Sequence, residues 1–204
     1  PISSLMGWLE YMRMQDGKNH ENTHAETYLE IEKDIDRLTR VAGRFSDIGS
    51  LPKLEVQVVG PVIENTTDYK RRRLPQSGTF IRLNVVTEPN LKAPLNAELF
   101  EWVIENLLKN ALDAMDSEHG RIDVITSKVD AKIRIDVRDT GKGIDRRNWK
   151  NVFRPGFSTK KRGWGLGLSL AKRIVEDYHG GSLSLAQSKP GQGSTFRIEL
   201  PGTI

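Results

Sequence analysis

The segment from Asp139 to Gly165 constrains the fold most, because it connects a predicted strand to a predicted helix. The segment itself shows neither the two-residue apolar alternation of a strand nor the three- to four-residue spacing of a helix. It carries Gly141 and Gly143 near its start and more glycines near its end, with at most one helical turn around residues 145–150. A connection of this length inside a compact domain is usually functional or disordered. We therefore expect a mixed domain of strands and helices built around a glycine-rich functional loop.

Strands and helices are predicted on both sides of this loop. Apolar residues that alternate indicate strands, and apolar residues at steps of three and four indicate helices. The predicted strands are Leu54–Val59, Phe80–Val86, Arg121–Ser127, Lys132–Arg138, Ser182–Ser188 and Ser194–Leu200. The predicted helices are Pro61–Leu74, Asn96–Ser117 and Leu166–Tyr178.

Residues 1–50 follow a different, entirely helical pattern. Apolar residues recur at steps of three and four along the second half of this region, namely Tyr28, Ile31, Ile35, Leu38, Ala42 and Phe45. The pattern predicts a helical hairpin, which ends before a second domain at 51–204. One hairpin cannot cover both sides of such a seam, so a second copy would complete a dimeric four-helix bundle. The alternative is a hairpin that packs on the rest of its own chain.

The composition excludes several classes of protein. The chain has 204 residues, no cysteine, and four histidines without zinc-type spacing. It contains no apolar run of the ~20 residues that a membrane span needs. The net charge is +4, but the dense basic cluster at residues 70–73 has no interleaved aromatic residues, which favours a solvated helix end over a nucleic-acid site.

Two asparagines on the predicted helix 96–117 are candidate metal ligands. Asn106 and Asn110 stand four residues apart and therefore share one face of the helix. Amide oxygens suit a Mg²⁺ ion that takes its other ligands from phosphate and water. Glu105, next to them, could polarise a water or orient a ligand. A surface or capping role for the asparagines is the alternative.

The end of a predicted strand carries a candidate base-binding carboxylate. Asp139 is followed by Gly141 and Gly143, which permit a sharp turn and close approach of the backbone to a flat ligand. A carboxylate here can accept a hydrogen bond from the exocyclic amine of adenine, whereas guanine would present an acceptor. An ordinary turn is the alternative.

The glycines before the predicted helix 166–178 indicate a phosphate site. Gly163, Gly165 and Gly167 lie two residues apart and lead directly into the helix, with Lys160 and Arg162 just before them. Backbone N–H groups at a helix start bind anions, and the basic side chains add positive charge. A flexible hinge is the alternative.

The order of these motifs resembles that of the sensor histidine kinases of the GHKL ATPase superfamily. IENLLKNALDAM resembles the N box, VRDTGKGI the first glycine box and FRPGFST the phenylalanine box. GWGLGLSLAKRIVEDYHGGSL resembles the second glycine box, and GQGSTFRIELP the closing strand. Together with the hairpin, the resemblance covers nearly the whole chain.

The resemblance implies an α/β sandwich of GHKL (Bergerat) type, with helices on one face of a mixed sheet and ATP beneath a mobile lid. It implies that Asn106 and Asn110 coordinate Mg²⁺, that Asp139 binds the amine of adenine, and that Gly141 and Gly143 shape this wall of the site. The residues expected at the phosphates are Lys160, Arg162, Gly165, Leu166, Gly167 and Leu168. Thr195 resembles the residue beside adenine on the closing strand.

The same resemblance implies a homodimer, a response-regulator receiver domain as partner, and a cytoplasmic location, which includes the cytoplasmic part of a membrane-bound sensor. Residues 1–5 resemble the tail of the phosphoacceptor motif, so the acceptor histidine is expected upstream of Pro1. His20-Glu21 copies the acceptor dipeptide but has no proline five residues on.

Two rival functions remain. A gyrase- or chaperone-type ATPase needs a glutamate where this chain has Asn106. A dimeric scaffold with a lapsed nucleotide pocket is opposed by the three intact boxes.

Overall fold

The structure is a computed structural model that describes residues 52–71, 80–115, 119–159 and 165–203. These residues form both strands and helices. The predicted hairpin of residues 1–50 lies outside these residues. The strands are β1 (Glu55–Val58), β2 (Phe80–Val86), β3 (Lys92–Leu95), β4 (His119–Val129), β5 (Lys132–Asp139), β6 (Ser182–Ser188) and β7 (Ser194–Pro201). The helices are α1 (Val59–Arg71), α2 (Ala97–Asp113) and α3 (Gly167–Arg173), the last continued by a π turn, Ile174–Tyr178.

The main sheet is mixed and has five strands in the order β2-β4-β5-β7-β6. Strands β2 and β4 pair in parallel, and the other neighbours pair antiparallel. Strands β1 and β3 form a separate antiparallel pair, which an isolated bridge from Lys92 links to Thr203. Two 3₁₀ turns, Arg146–Asn148 and Asn151–Phe153, lie in the segment between β5 and α3.

The core lies between the sheet and the helices. Alternation along β5 turns Ile133, Ile135 and Val137 to the covered face, where all three are buried. Helix α2 buries an apolar stripe with helical spacing, formed by Phe100, Val103, Ile104, Leu107, Leu108 and Ala111. The predicted arrangement of helices on one face of a mixed sheet is confirmed.

The opposite face of the sheet carries polar and charged side chains. Asp136 is 4% exposed and forms a paired bond with the Arg197 guanidinium, at 2.7 Å to Nε and 2.8 Å to Nη2. Arg138 adds a third hydrogen bond, at 3.1 Å. Although burial alone raises it, these hydrogen bonds hold the pKa of the Asp136 carboxyl below its ordinary value. Among the described residues, no helix is long and apolar enough to cross a membrane.

Most predicted elements appear close to their expected ends. Strand β2 has the predicted ends. Helix α2 starts one residue later than predicted because Asn96 is its N-cap, accepting from Leu99 N–H at 3.0 Å, and it ends at Asp113, four residues before the predicted Ser117. The short strand β3 was not predicted. The predicted single helix 166–178 changes to a π turn after Arg173, where His179 N–H donates to Ile174 O at 3.3 Å.

Candidate functional site

Asn106, the first of the two asparagines of α2, lies beside the start of α3. The Asn106 amide nitrogen donates to the Trp102 carbonyl at 2.9 Å, one turn earlier in the helix. Its Oδ1 faces Gly167, because a Cβ built on that glycine would lie 2.7 Å from this oxygen. Asn110, one turn further along α2, is half-buried. The structure thus brings an amide oxygen of α2 to the first residue of α3.

Asp139 ends β5 on the covered face of the sheet. It is 7% exposed, and its Oδ1 accepts from Gly141 N–H at 2.9 Å and Ser194 N–H at 3.3 Å. Burial raises the pKa of the Asp139 carboxyl, against the lowering effect of the two backbone donors. This carboxylate is therefore held in a fixed orientation by backbone groups rather than by a basic side chain.

The loop after Asp139 packs against the end of α2. Lys142 N–H donates to the Ala114 carbonyl at 2.9 Å, and a Cβ on Gly141 would approach that oxygen to 2.5 Å. Gly143 has φ +68°, and a Cβ there would lie 2.1 Å from the Lys189 carbonyl. Only glycine fits both positions. Gly141 and Lys142 connect the segment after Asp139 to the end of the helix that carries Asn110, and Gly143 packs against the turn between β6 and β7.

The described part of the predicted phosphate loop leads into α3. Gly165 has φ +64°, and its carbonyl accepts from Gly156 N–H at 3.2 Å. Residues 165–168 are all half-buried, and Gly167 opens the helix close to Asn106. Lys160 and Arg162 lie outside the described residues.

The structure places Glu105 away from this cluster. Its carboxylate pairs with Lys70 Nζ at the end of α1, at 3.4 Å. Burial raises the pKa of Glu101, one turn earlier, and the charges of Glu105 and Glu98 add to the shift. Glu105 therefore belongs to an acidic edge of α2 that contacts α1.

Thr195 is also not brought to the site. It pairs with Arg138 on the neighbouring strand, whereas its predecessor Ser194 pairs with Asp139. Directly paired residues point to the same face of a sheet, so Thr195 lies with Arg138 on the opposite, polar face. Ser194 is the residue of the closing strand beside Asp139, and the strand register that reveals it cannot be read from the motif.

Phe153, in the FRPGFST segment between β5 and α3, packs against β7 and α3. Phe153 meets Phe196 of β7 edge to face, with ring centroids 6.2 Å apart. Lys172 of α3 places Nζ 4.9 Å from the centroid of the Phe153 ring. These contacts connect the 3₁₀ turns to both the sheet and α3.

The donor set fits a metal ion held mainly by a phosphate ligand. The described residues contain no group of three or more His, Cys, Asp or Glu side chains that could hold a metal. The Asn106 Oδ1 is turned toward α3 because its amide nitrogen is already bonded. One or two neutral oxygens suit Mg²⁺, which keeps water and takes substrate phosphates as ligands.

The fold and the site define a class of ATP-binding domains, in which a buried carboxylate at a strand end is followed by glycine turns that pack against an asparagine-bearing helix. Residues 96–204 match the family model described as histidine kinase-, DNA gyrase B-, and HSP90-like ATPase. The chain belongs to this family, and the predicted resemblance is confirmed.

The curated proteins that resemble this chain include kinases. The sensor histidine kinase ZraS of Escherichia coli is 30% identical over 210 residues, which span 100% of this chain and 43% of ZraS. Sporulation kinase C of Bacillus subtilis is 34% identical over 214 residues, 98% of this chain and 46% of that kinase. The chain thus spans less than half the length of these relatives.

Solved structures share the fold. The catalytic domain of histidine kinase ThkA is 26% identical with a TM-score of 0.65, covering 74% of this chain and 96% of that domain. A longer ThkA chain, in complex with the response regulator protein TrrA, has a TM-score of 0.70 at 22% identity. It covers 99% of this chain and 59% of the ThkA chain.

Proposed function

We propose that this chain is the catalytic region of a sensor histidine kinase, which binds Mg-ATP and transfers the γ-phosphoryl group to a histidine for relay to a response-regulator aspartate. The observation that carries the proposal is the buried, backbone-anchored carboxylate of Asp139 in a chain of this ATPase family. Its curated relatives are named histidine kinases.

Asp139 selects adenine. Because Gly141 and Ser194 N–H groups both bind Oδ1, Oδ2 is the oxygen that accepts from the exocyclic amine of the base. Guanine places a carbonyl oxygen in that position, so two acceptors would oppose each other in a buried site. Gly141 and Gly143 allow the loop backbone to approach the base closely.

Asn106 and Asn110 hold Mg²⁺ through their amide oxygens. The bound ion supplies charge neutralisation at the phosphate oxygens. Gly165, Leu166, Gly167 and Leu168 offer backbone N–H groups to the phosphates at the start of α3, and Lys160 and Arg162 add positive charge. Asn106 Oδ1 lies close to Gly167, so a residue that would hold the metal stands beside backbone that would bind the phosphates, which supports this assignment.

Transfer to a side chain is favoured over hydrolysis. A hydrolase of this family needs a carboxylate one turn before Asn110 to activate water, and that position holds Asn106. The neighbouring Glu105 is paired with Lys70. An incoming imidazole nitrogen bonds the γ-phosphorus as the bond to the ADP oxygen breaks, ADP leaves, and the imidazole gives its N–H proton to solvent water. The chain's own groups position the nucleotide for this in-line step.

The transfer is tested by mixed dimers. A longer form of the protein that includes the histidine expected upstream of Pro1 but carries Asn110→Asp is combined with this chain and γ-labelled ATP. Acid-labile label on the longer chain is expected if transfer occurs between subunits. Label confined to His20 or His24 of this chain would identify a different acceptor, and label on neither chain would contradict transfer between subunits.

The partners proposed are a second copy and a receiver domain. The apolar seam of residues 28–45 supports a dimer through the hairpin. Glutamates at Ile35 and Leu38 would be buried without partners and should dissociate it, which sedimentation measures. A parent chain that stays monomeric at high concentration would contradict the dimer. A receiver-domain partner is supported by a relative named a signal transduction histidine-protein kinase.

A further inference from the structure

The hydroxyl of Ser188, at the end of β6, joins three segments around Asp139. Ile144 N–H, in the loop that follows Asp139, donates to Ser188 Oγ at 2.7 Å. Ser188 Oγ lies 3.1 Å from the Gly193 carbonyl and 2.9 Å from Ser194 Oγ. Ser194 in turn gives its N–H to Asp139. One side chain therefore connects the loop to the strand that fixes the carboxylate.

These contacts use the full bonding capacity of a hydroxyl. An oxygen of this type accepts two hydrogen bonds and donates one. Ser188 accepts from Ile144 N–H, donates to the Gly193 carbonyl, and accepts the hydroxyl proton of Ser194. An aliphatic side chain at this position could make none of the three bonds and would leave the Ile144 N–H without its partner.

A β-bulge places Ser188 on the correct face. Leu185 pairs with Phe196 on the covered face, and strict alternation would then turn Gln187 to that face and Ser188 away from it. The register instead shifts between Leu185 and Gln187, so that Ser188 pairs with Ser194. Bulges often re-aim a side chain next to a functional site, and this one turns Ser188 toward Asp139.

The turn after Ser188 also packs on the same loop. Gly191 N–H donates to the Lys142 carbonyl at 2.8 Å, and the Lys189 carbonyl lies against Gly143. The β6–β7 turn therefore supports the loop at two more points. Loss of the Ser188 hydroxyl should loosen the loop near Ile144 without releasing the whole turn.

We propose that Ser188 is a positioning residue of the nucleotide site, which fixes the loop 141–144 and Ser194 around Asp139 and thereby sets both the affinity for ATP and the discrimination against GTP. The inference rests on the proposed function, because it assumes that adenine binds at Asp139. Ser188 acts through Ile144 and Ser194.

The test compares three variants with the parent chain. ATP and GTP are titrated by calorimetry against Ser188→Ala, Ser188→Thr and Ser184→Ala. Ser184 is an exposed serine on the same strand that pairs with Arg197, so its replacement is the matched control. Hydrogen exchange of the Ile144 and Ser194 amides is measured in parallel, with Ile135 in the centre of the sheet as the reference.

Ser188→Ala is expected to weaken ATP binding about fivefold, the effect of losing roughly one hydrogen bond. It should also lower the ratio of ATP affinity to GTP affinity. Exchange should rise at Ile144 and Ser194 but not at Ile135. Ser188→Thr keeps the hydroxyl and should bind like the parent, as should Ser184→Ala. If Ser188→Ala does not fold, Ser188→Cys, which keeps the size but bonds weakly, takes its place.

Each outcome is decisive. A parent chain that binds no ATP defeats the proposed function itself. A parent that binds ATP, together with an alanine variant of unchanged affinity and unchanged ATP to GTP ratio, overturns the role of Ser188 alone. Equal weakening by Ser188→Thr, or faster exchange at Ile135 as well, would show a general structural effect and would also overturn it.

Discussion

Two buried aspartates on β5 allow a sharp test, because they face opposite sides of the sheet and their pKa values shift in opposite directions. Asp139 lies at the site with a raised pKa, and Asp136 lies on the polar face with a lowered one. We predict that Asp139→Asn weakens ATP binding and stabilises the fold, whereas Asp136→Asn destabilises the fold and leaves ATP binding unchanged.

The binding effect follows from the contacts of Asp139. The asparagine Oδ1 can still accept from Gly141 and Ser194, but an NH₂ group replaces the oxygen that faces the base. A donor then opposes the amine of adenine, at a cost of about 1–3 kcal/mol, which corresponds to a roughly 5- to 150-fold loss of affinity. The same NH₂ can donate to the carbonyl of guanine, so the preference for ATP over GTP should shrink.

The stability effect follows from linkage. Because the folded pKa of Asp139 is raised, its contribution to stability is present below the ordinary value of 3.8 and is lost as pH rises through the folded pKa. At neutral pH the ionised carboxyl opposes folding, and a neutral amide removes this cost. Asp136→Asn instead weakens a buried ion pair with Arg197 and should lower the free energy of unfolding by about 1–3 kcal/mol.

The assays are calorimetric titration of ATP and GTP and thermal unfolding of the same preparations at neutral pH. Equal affinity of the parent chain for ATP and GTP would remove Asp139 from base recognition. If Asp139→Asn lowers both Tm and ATP affinity while Asp136→Asn does the same, the two carboxylates have one structural role and the reasoning fails.

Three further predictions concern other parts of the domain. Burial lowers the pKa of His179, so the free energy of unfolding should fall as pH drops below 6.5. Denaturant titrations of His179→Gln should show a weaker dependence on pH, and an unchanged slope of the unfolding free energy against pH would contradict the prediction. Asn110→Ala should abolish the Mg²⁺-dependent part of ATP affinity, measured with and without the metal, while the exposed Lys109→Ala should not. Gly143→Ala should lower Tm more than Gly156→Ala, because a Cβ at Gly143 would collide with the Lys189 carbonyl, whereas Gly156 has a similar φ but open space around it. Equal losses of Tm would show that backbone strain alone, and not the collision, sets the effect.

Much of the fold could be predicted because its strands alternate cleanly. Strand β6 appears with its predicted ends, and β5 and β7 each extend one residue beyond the predicted end. In β5, the alternation of Ile133, Ile135 and Val137 marks the buried face clearly. Strand β3 was missed because it is four residues long and contains Pro94, which weakens any strand signal. Residues 92–95 of β3 pair with β1, and this pairing makes the segment a strand although the local sequence does not show it.

The site was predictable where a motif fixes local geometry and not where distant strands decide it. The backbone donor of Gly141 is two residues from Asp139, so the motif itself implies this contact. The choice between Ser194 and Thr195 depends on the register of β7 against β5, and the role of Ser188 depends on a bulge in β6. The Lys70 to Glu105 pair depends on how two helices pack.

The strand order has a consequence for biosynthesis. Strand β7 is the last of the described strands to be made, yet it lies inside the sheet, between β5 and β6. A nascent chain that has emerged only as far as β6 therefore presents two unpaired strand edges where β7 will insert, and such edges are prone to aggregate. The domain can complete its sheet only after β7 leaves the ribosome, so loss of β7 by premature termination should remove the whole domain rather than trim it.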